Sequence, residues 1–223
     1  MRFWGMVVFG VLGTAILLSL GIWQLQRLAW KQEVLRAIES KILAPAVKIP
    51  QTVLPDAHSL LPVRAEGRYK GDTVRVLVSQ KIYGAGYRLI TAFELVDGRT
   101  IMLDRGFTSV RLEMPSTPEG RGQVIGNLQW PQEIDSFTPE NDLAANIWFA
   151  RDVARLAEHL KAEPVLLVLR DSSFETEAAT PLPKMTANIP NDHMNYAITW
   201  FSLALIWLGM SGYFLYRSRD PQS

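Results

Sequence analysis

The sequence predicts a membrane protein in which two terminal transmembrane helices flank one α+β domain with a mainly antiparallel, barrel-like sheet. Three observations predict it. Uncharged apolar runs occupy both ends of the chain, residues 3–23 and 196–216. The stretch between them alternates short β-type segments with Gly and Pro clusters. One helical periodicity, Val153, Leu156, Ala157 and Leu160, interrupts that pattern.

Each terminal run, at about 1.5 Å per helical residue, is long enough to cross a hydrocarbon core of roughly 30 Å. A cleavable signal peptide would have a shorter apolar centre and a small-residue cleavage site, whereas the first run ends in Gly21-Ile22-Trp23-Gln24. It reads as an uncleaved anchor. In the second run Tyr196, Trp200, Trp207, Tyr213 and Tyr216 place aromatic rings near both ends, as interfacial belts require, which favours a spanning helix over a buried core helix.

Orientation follows from basic residues close to the spans. Arg217 and Arg219 follow the second run and only Lys184, with Asp192, precedes it, so the C-terminus is expected in the cytoplasm. Arg27, Lys31 and Arg36 outweigh Arg2 in the opposite sense, but they begin a loop far longer than the roughly 60 residues over which the rule operates. The expected layout is a cytoplasmic N-terminus (1–2), a first transmembrane helix (3–23), a juxtamembrane stalk with a Pro-rich connection (24–62), a periplasmic α+β domain (63–190), a second transmembrane helix with its outer lead-in (191–216) and a cytoplasmic tail (217–223). No Arg- and Ser-rich amphipathic stretch precedes Phe3, which points to a bacterial plasma (inner) membrane.

Within the loop, Leu28, Lys31, Leu35, Ile38 and Ile42 keep near-helical spacing, so the first helix is expected to continue as a stalk. Pro45, Pro50, Pro55 and Pro62 then mark an extended connection. Strands are expected over 63–69, 74–80, 87–96, 99–104, 123–129 and 165–169. Asp97-Gly98 suits a two-residue hairpin turn, which would set Val96 opposite Arg99 and Phe93 opposite Met102, with Ala92 and Ile90 facing Leu103 and Arg105. Both faces of this hairpin carry apolar residues, so it belongs inside a sheet or barrel covered on two sides. Pro164 is expected to stop the one soluble helix.

Composition excludes several chemistries. The chain has no cysteine, hence no disulfide, thiolate nucleophile, zinc cluster or c-type haem attachment. Setting aside Arg2, Arg217, Arg219 and Asp220 leaves residues 24–195 one charge to the acidic side of neutral, which is no nucleic-acid footprint. No nucleophile–base motif is present, and the histidines are His58, His159 and His193. His58 in the Pro-rich connection and His159 on the polar flank of a helix read as solvated imidazoles. Gly84-Ala85-Gly86 lacks the following helix of a phosphate loop and reads as a hairpin bend.

His193 lies three residues before the second apolar run, so a helix entering the membrane there would hold its imidazole at the outer interface. Neutral imidazole is a common axial ligand of haem iron, and Trp23 and Trp200 could wall a porphyrin at that depth. The alternative is an amphipathic ring that anchors or caps its helix in the headgroup zone.

The motifs of the chain resemble those of the Surfeit locus protein 1 family of cytochrome c oxidase assembly factors. The resemblance rests on Leu20-Gly21-Ile22-Trp23-Gln24-Leu25-Gln26-Arg27 with Lys31, Gly67-Arg68-Tyr69, Gly86-Tyr87-Arg88-Leu89-Ile90-Thr91, Leu103-Asp104-Arg105-Gly106-Phe107, Trp148-Phe149-Ala150-Arg151-Asp152 and Asn191-Asp192-His193-Met194-Asn195-Tyr196 through Phe201. Phe107 and Phe149 stand where Trp or Tyr is usual, and Asp192 where Asn is frequent. The resemblance implies a non-enzymatic role in building haem-copper oxidases. An a-type haem would be taken from the haem-a synthase and offered to the oxidase catalytic subunit, with His193 as the iron ligand. Trp23 and Trp200 would then cover the macrocycle. Arg27 and Lys31 would pair with its propionates, the alternative for these two being interfacial snorkelling. Small residues Gly10, Gly13, Gly209, Ser211 and Gly212 would let the two spans approach. Arg105 is expected to pair with a carboxylate or cap carbonyls at its strand end. The competing reading is a cofactor-free scaffold that clamps oxidase subunits through its outer domain.

Overall fold

The computed structural model describes residues 2–81, 83–174, 179–183 and 189–218. Lys184, Arg219 and Asp220, which enter the charge count above, lie outside them. The chain divides into two units, one of Met1–Glu39 with Thr186–Ser223 and the other of Ser40–Met185. Its elements are α1 (Arg2–Ile42), β1 (Val47–Lys48), α2 (Pro55–His58), β2 (Pro62–Gln80), β3 (Gly84–Leu95), β4 (Thr100–Ser109), β5 (Gly122–Gln129), β6 (Ile147–Trp148), α3 (Val153–Leu160), β7 (Leu166–Ser172) and α4 (His193–Arg217).

Two apolar helices, α1 and α4, form the first unit. Both are long and apolar enough to cross a membrane, and only 11% and 6% of their most apolar windows are covered by the protein. A core helix of a globular protein would be mostly covered. The first helix runs unbroken to Ile42, as the near-helical spacing of the stalk requires.

The second unit is built on a closed sheet. Five strands follow the order β2-β3-β4-β7-β5, and β5 pairs back onto β2, so the ring has no open edge. Pairing is antiparallel except between β4 and β7. Side chains alternate across it. Phe93, Leu95, Ile101, Leu103, Val63, Val124, Leu128, Leu167 and Leu169 join one buried cluster to which all five strands contribute. Ile90, Met102, Val74, Val76, Leu166 and Val168 face the other way, against Trp148 and the apolar stripe Val153, Leu156 and Ala157 of α3. This period-two division explains why the strands are apolar on both faces. α3 begins where the Asp152 carboxylate accepts the amides of Ala154 and Arg155, and it ends at Lys161 in the left-handed region (φ 52°), before Pro164 is reached.

Four sequence expectations are corrected. Residues 63–69 and 74–80 are one bent strand, β2, because Gly71 (φ 73°) and the register shift between Lys70 and Thr73 make a bulge, not a turn. The Asp97-Gly98 hairpin has a three-residue loop. Leu95 N donates to Arg99 O at 2.8 Å and Phe93 pairs with Ile101, Ala92 with Met102 and Ile90 with Asp104. Among the turn residues only Gly98 (φ 88°) has positive φ, whereas the two-residue type I′ turn needs it at both positions. The one-residue difference puts Phe93 and Ile101 on the same face, inside the ring. Finally, β4 continues past Asp104 to Ser109, with Arg105 as the extra residue where Leu89 pairs with Gly106 and Ile90 with Asp104. The Pro-rich connection is not wholly irregular either, since β1 pairs in parallel with β2 and α2 forms one short turn.

Candidate functional site

The site grows from the antiparallel packing of α1 against α4. Close approach is set by glycines that the facing side chains occupy: a Cβ on Gly10 would lie 3.0 Å from the Ser211 Cβ, one on Gly13 would overlap the Trp207 indole, and one on Gly21 would come within 2.6 Å of the Phe201 ring. Trp207 Nε1 also donates to Gly10 O at 3.1 Å. Gly10, Gly13 and Ser211 therefore lie at the seam, while Gly209 and Gly212 have open space beside them and do not contribute. Gly21, outside the small residues expected at the contact, contributes as well.

One turn beyond Gly21, Gln24 is buried on α1, 9% exposed, and its amide Oε1 lies 2.8 Å from Nδ1 of His193, the first residue of α4. Nε2 of that ring has no hydrogen-bond partner among the described residues. The imidazole is thus held by one nitrogen with the other free of hydrogen bonds from the described residues, the arrangement by which an outer partner orients a metal-ligating histidine. Among the described residues no group of three or more His, Cys, Asp or Glu gathers as a metal cluster. A single axial imidazole is the donor set that suits a porphyrin iron, whose other ligands come from the macrocycle.

The remaining expected site residues fall as follows. Trp200 is seven residues beyond His193, hence on the same face of α4, and is half-buried. Lys31, seven residues beyond Gln24 on α1, donates from Nζ to Pro190 O just ahead of α4. Arg27 lies over the Trp30 ring, its Cζ 4.4 Å from the centroid, a cation–π contact of the interfacial kind. Trp23 is 49% exposed. Gln24 is the residue that sequence reasoning missed. A lone polar amide at the end of an apolar span was the available signal, because a polar group there needs a partner.

The other histidines have local tasks. His58 Nδ1 accepts the Leu54 amide at 2.9 Å and His159 meets the Trp148 indole edge-on, ring centroids 5.4 Å apart. Arg105, 0% exposed, donates to Ser116 O at 2.8 Å and lies over the Tyr69 ring, its Cζ 5.2 Å from the centroid. It caps a carbonyl from the middle of β4, not from its end. Gly84 (φ 75°) opens β3 after the bend and pairs with Gln80, so the glycine pair is part of a hairpin.

A charge network that the sequence did not announce lies across β3 and β4. Asp104, fully buried, accepts from Arg88 Nε at 2.7 Å and from the Gly106 amide at 3.1 Å, with Arg151 Nη1 at 3.5 Å. Arg151 grips Glu133 through Nε at 3.0 Å and through Nη2. Burial pushes Glu133 up, but the hydrogen bonds and charge of Arg151 outweigh it and hold the carboxyl below its ordinary value. Two acids and two guanidiniums balance, buried at Asp104 and Arg88 and reaching the surface at Glu133, which marks a structural lock.

With this geometry in place, comparison with known proteins settles the family. The SURF1 family model matches residues 11–205, from within α1 to within α4 and across the whole barrel. The chain belongs to the SURF1 family. It is 30% identical over 225 residues to a SURF1-like protein of Rickettsia prowazekii, covering 94% of this chain and 88% of that protein. A SURF1-like protein of Rickettsia felis is 27% identical over 200 residues, covering 85% and 88%. Human Surfeit locus protein 1 is 29% identical over 212 residues, covering 83% and 69%. The matched range of this SURF1 family chain includes both Gln24 and His193.

Proposed function

We propose that this chain is a non-enzymatic assembly factor for a haem-copper (cytochrome c) oxidase that carries a-type haem on His193 and presents it to the oxidase catalytic subunit. The oxidase role is drawn from membership of the SURF1 family. The haem role is supported by one observation, the His193 imidazole anchored at Nδ1 by Gln24, with no hydrogen bond to Nε2 among the described residues. In this reading both helices span a bacterial plasma membrane, both termini are cytoplasmic and the barrel is periplasmic. His193 then lies where α4 enters the outer leaflet. The exposed apolar surfaces of α1 and α4 support insertion.

The residues would act as follows. His193 Nε2 would hold the iron, and Trp200, on the same face of α4, with Trp23 on α1 would give the macrocycle apolar cover. Arg27 and Lys31, one and two turns beyond Trp23, supply cations at the depth of the propionates. A single protein ligand would leave the cargo exchangeable, as a handover from the haem-a synthase to an oxidase subunit requires.

The test is spectroscopic. Co-expressed with haem-a synthesis and purified in detergent, the chain should show a haem a spectrum at near one haem per protein, and His193→Ala should lose most of it. Unchanged haem stoichiometry in His193→Ala would overturn the ligand assignment. Background haem in the native chain, with oxidase subunits co-purifying, would select the cofactor-free scaffold instead.

A further inference from the structure

We infer that Gln24 is a positioning residue that selects the tautomer of His193, placing the proton on Nδ1 and leaving the Nε2 lone pair exposed. An amide oxygen can only accept, so the 2.8 Å contact between Gln24 Oε1 and Nδ1 is a hydrogen bond when Nδ1 carries the proton and a repulsion between lone pairs when it does not. A neutral imidazole has one proton to place, and Nε2 is then bare. Free in water, the neutral ring prefers the opposite placement, with the proton on Nε2, which blocks ligation there. The partner therefore shifts the ring from its inert form to its ligating form before any metal arrives.

The surroundings make this bias effective. Gln24 is 9% exposed and lies at the end of an uncharged apolar run, where an unmet amide oxygen or an unmet ring N–H is costly. The close packing at Gly21 against Phe201 brings α1 near enough for the short Gln24 side chain to reach the first turn of α4. A bulkier residue at 21 would break the pair without touching either partner. The same hydrogen bond raises the electron density on Nε2, so Gln24 tunes the strength of any iron bond as well as the ring's orientation.

This inference rests on the haem-ligand reading for its purpose but not for its first test. In the haem-free chain, labelled with 15N-histidine and studied by NMR in detergent, His193 should show a protonated Nδ1 and an unprotonated Nε2. Gln24→Leu should return the proton mainly to Nε2, and Gln24→Glu, an acceptor at the same place, should restore the native pattern. A native ring carrying its proton on Nε2, or a pattern unchanged in Gln24→Leu, overturns the proposal. In the haem-loaded chain, Gln24→Leu should weaken haem retention about 10-fold and raise the haem midpoint potential, with Gln24→Glu reversing both. An unchanged potential in Gln24→Leu would overturn the tuning role. If the tautomer pattern is as expected while His193→Ala keeps its haem, the haem reading fails and the Gln24–His193 pair stands.

Discussion

Gly106 and Thr180 meet backbone to backbone. Phe107 and Thr180 exchange two hydrogen bonds, 2.7 and 2.9 Å, and Gly106, at φ 114°, leaves the space that the Thr180 carbonyl fills. Any Cβ at 106 would overlap that carbonyl as well as straining the backbone. Gly98 has positive φ too, but open space around it. Gly106→Ala is therefore expected to cost about 3 kcal/mol and Gly98→Ala about 1 kcal/mol, read from denaturant midpoints followed by circular dichroism. Equal costs would show that segment 179–183 does not depend on the space at 106.

Asp104 is the centre of the lock between Arg88 and Arg151. Replacing it by Asn leaves the mostly buried Arg88 guanidinium without its carboxylate and Arg151 with Glu133 alone, an expected loss of about 3–5 kcal/mol. Removing both charges of the close pair, Asp104→Leu with Arg88→Met, should recover much of that loss, because an apolar pair has no charge to desolvate. Thermal unfolding of the two variants side by side makes the check. A double variant as unstable as Asp104→Asn would count against this account of the network.

Acid should weaken the barrel through its lowered carboxylates. The Arg151 hydrogen bonds hold Glu133 below its ordinary 4.5 despite burial; a backbone hydrogen bond from Arg99 lowers Asp97, and one from Phe137 lowers Asp135. A group whose value is depressed on folding adds stability that is complete above its unfolded value and is lost as pH falls through its folded value. The midpoint of thermal unfolding is thus expected to be level from about pH 7 to 5.5 and to decline below about pH 4.5. Glu133→Gln should make the decline shallower. A decline of the same slope in that variant would remove Glu133 from the cause.

The α1–α4 seam can be checked directly, because the chain has no cysteine of its own. Gly10→Cys with Ser211→Cys places two Cβ atoms about 3.0 Å apart, and a small shift brings them to the roughly 3.8 Å of a disulfide. This pair should oxidise within one chain, seen as a mobility change on reduction. Gly10→Cys with Gly209→Cys should not, since Gly209 faces away from the seam.

Much of the architecture was legible in residue order. Apolar runs without charge identify α1 and α4, since helices alone satisfy their own backbone over that length. Alternating apolar residues locate the strands of the ring, and the 153–160 stripe with Asp152 ahead of it locates α3. Register was harder. Asp97-Gly98 announces a turn, but whether the loop has two residues or three depends on which residues take positive φ. Phe93 and Ile101 decide that by filling the interior of a closed ring. Asp104 likewise reads as an ordinary strand acid until Arg151, 47 residues later, is folded against it.

What the sequence determined alone is periodicity and charge: which segments are apolar on one face, on both or all round, and that a histidine opens the last helix. Tertiary structure decided which distant groups meet. Gln24 and His193 are 169 residues apart, and no local rule pairs them. Only the close approach of two helices at Gly21 and Phe201 brings that amide to that ring, because a hydrogen bond forms over about 3 Å of space and is indifferent to the length of chain between its partners.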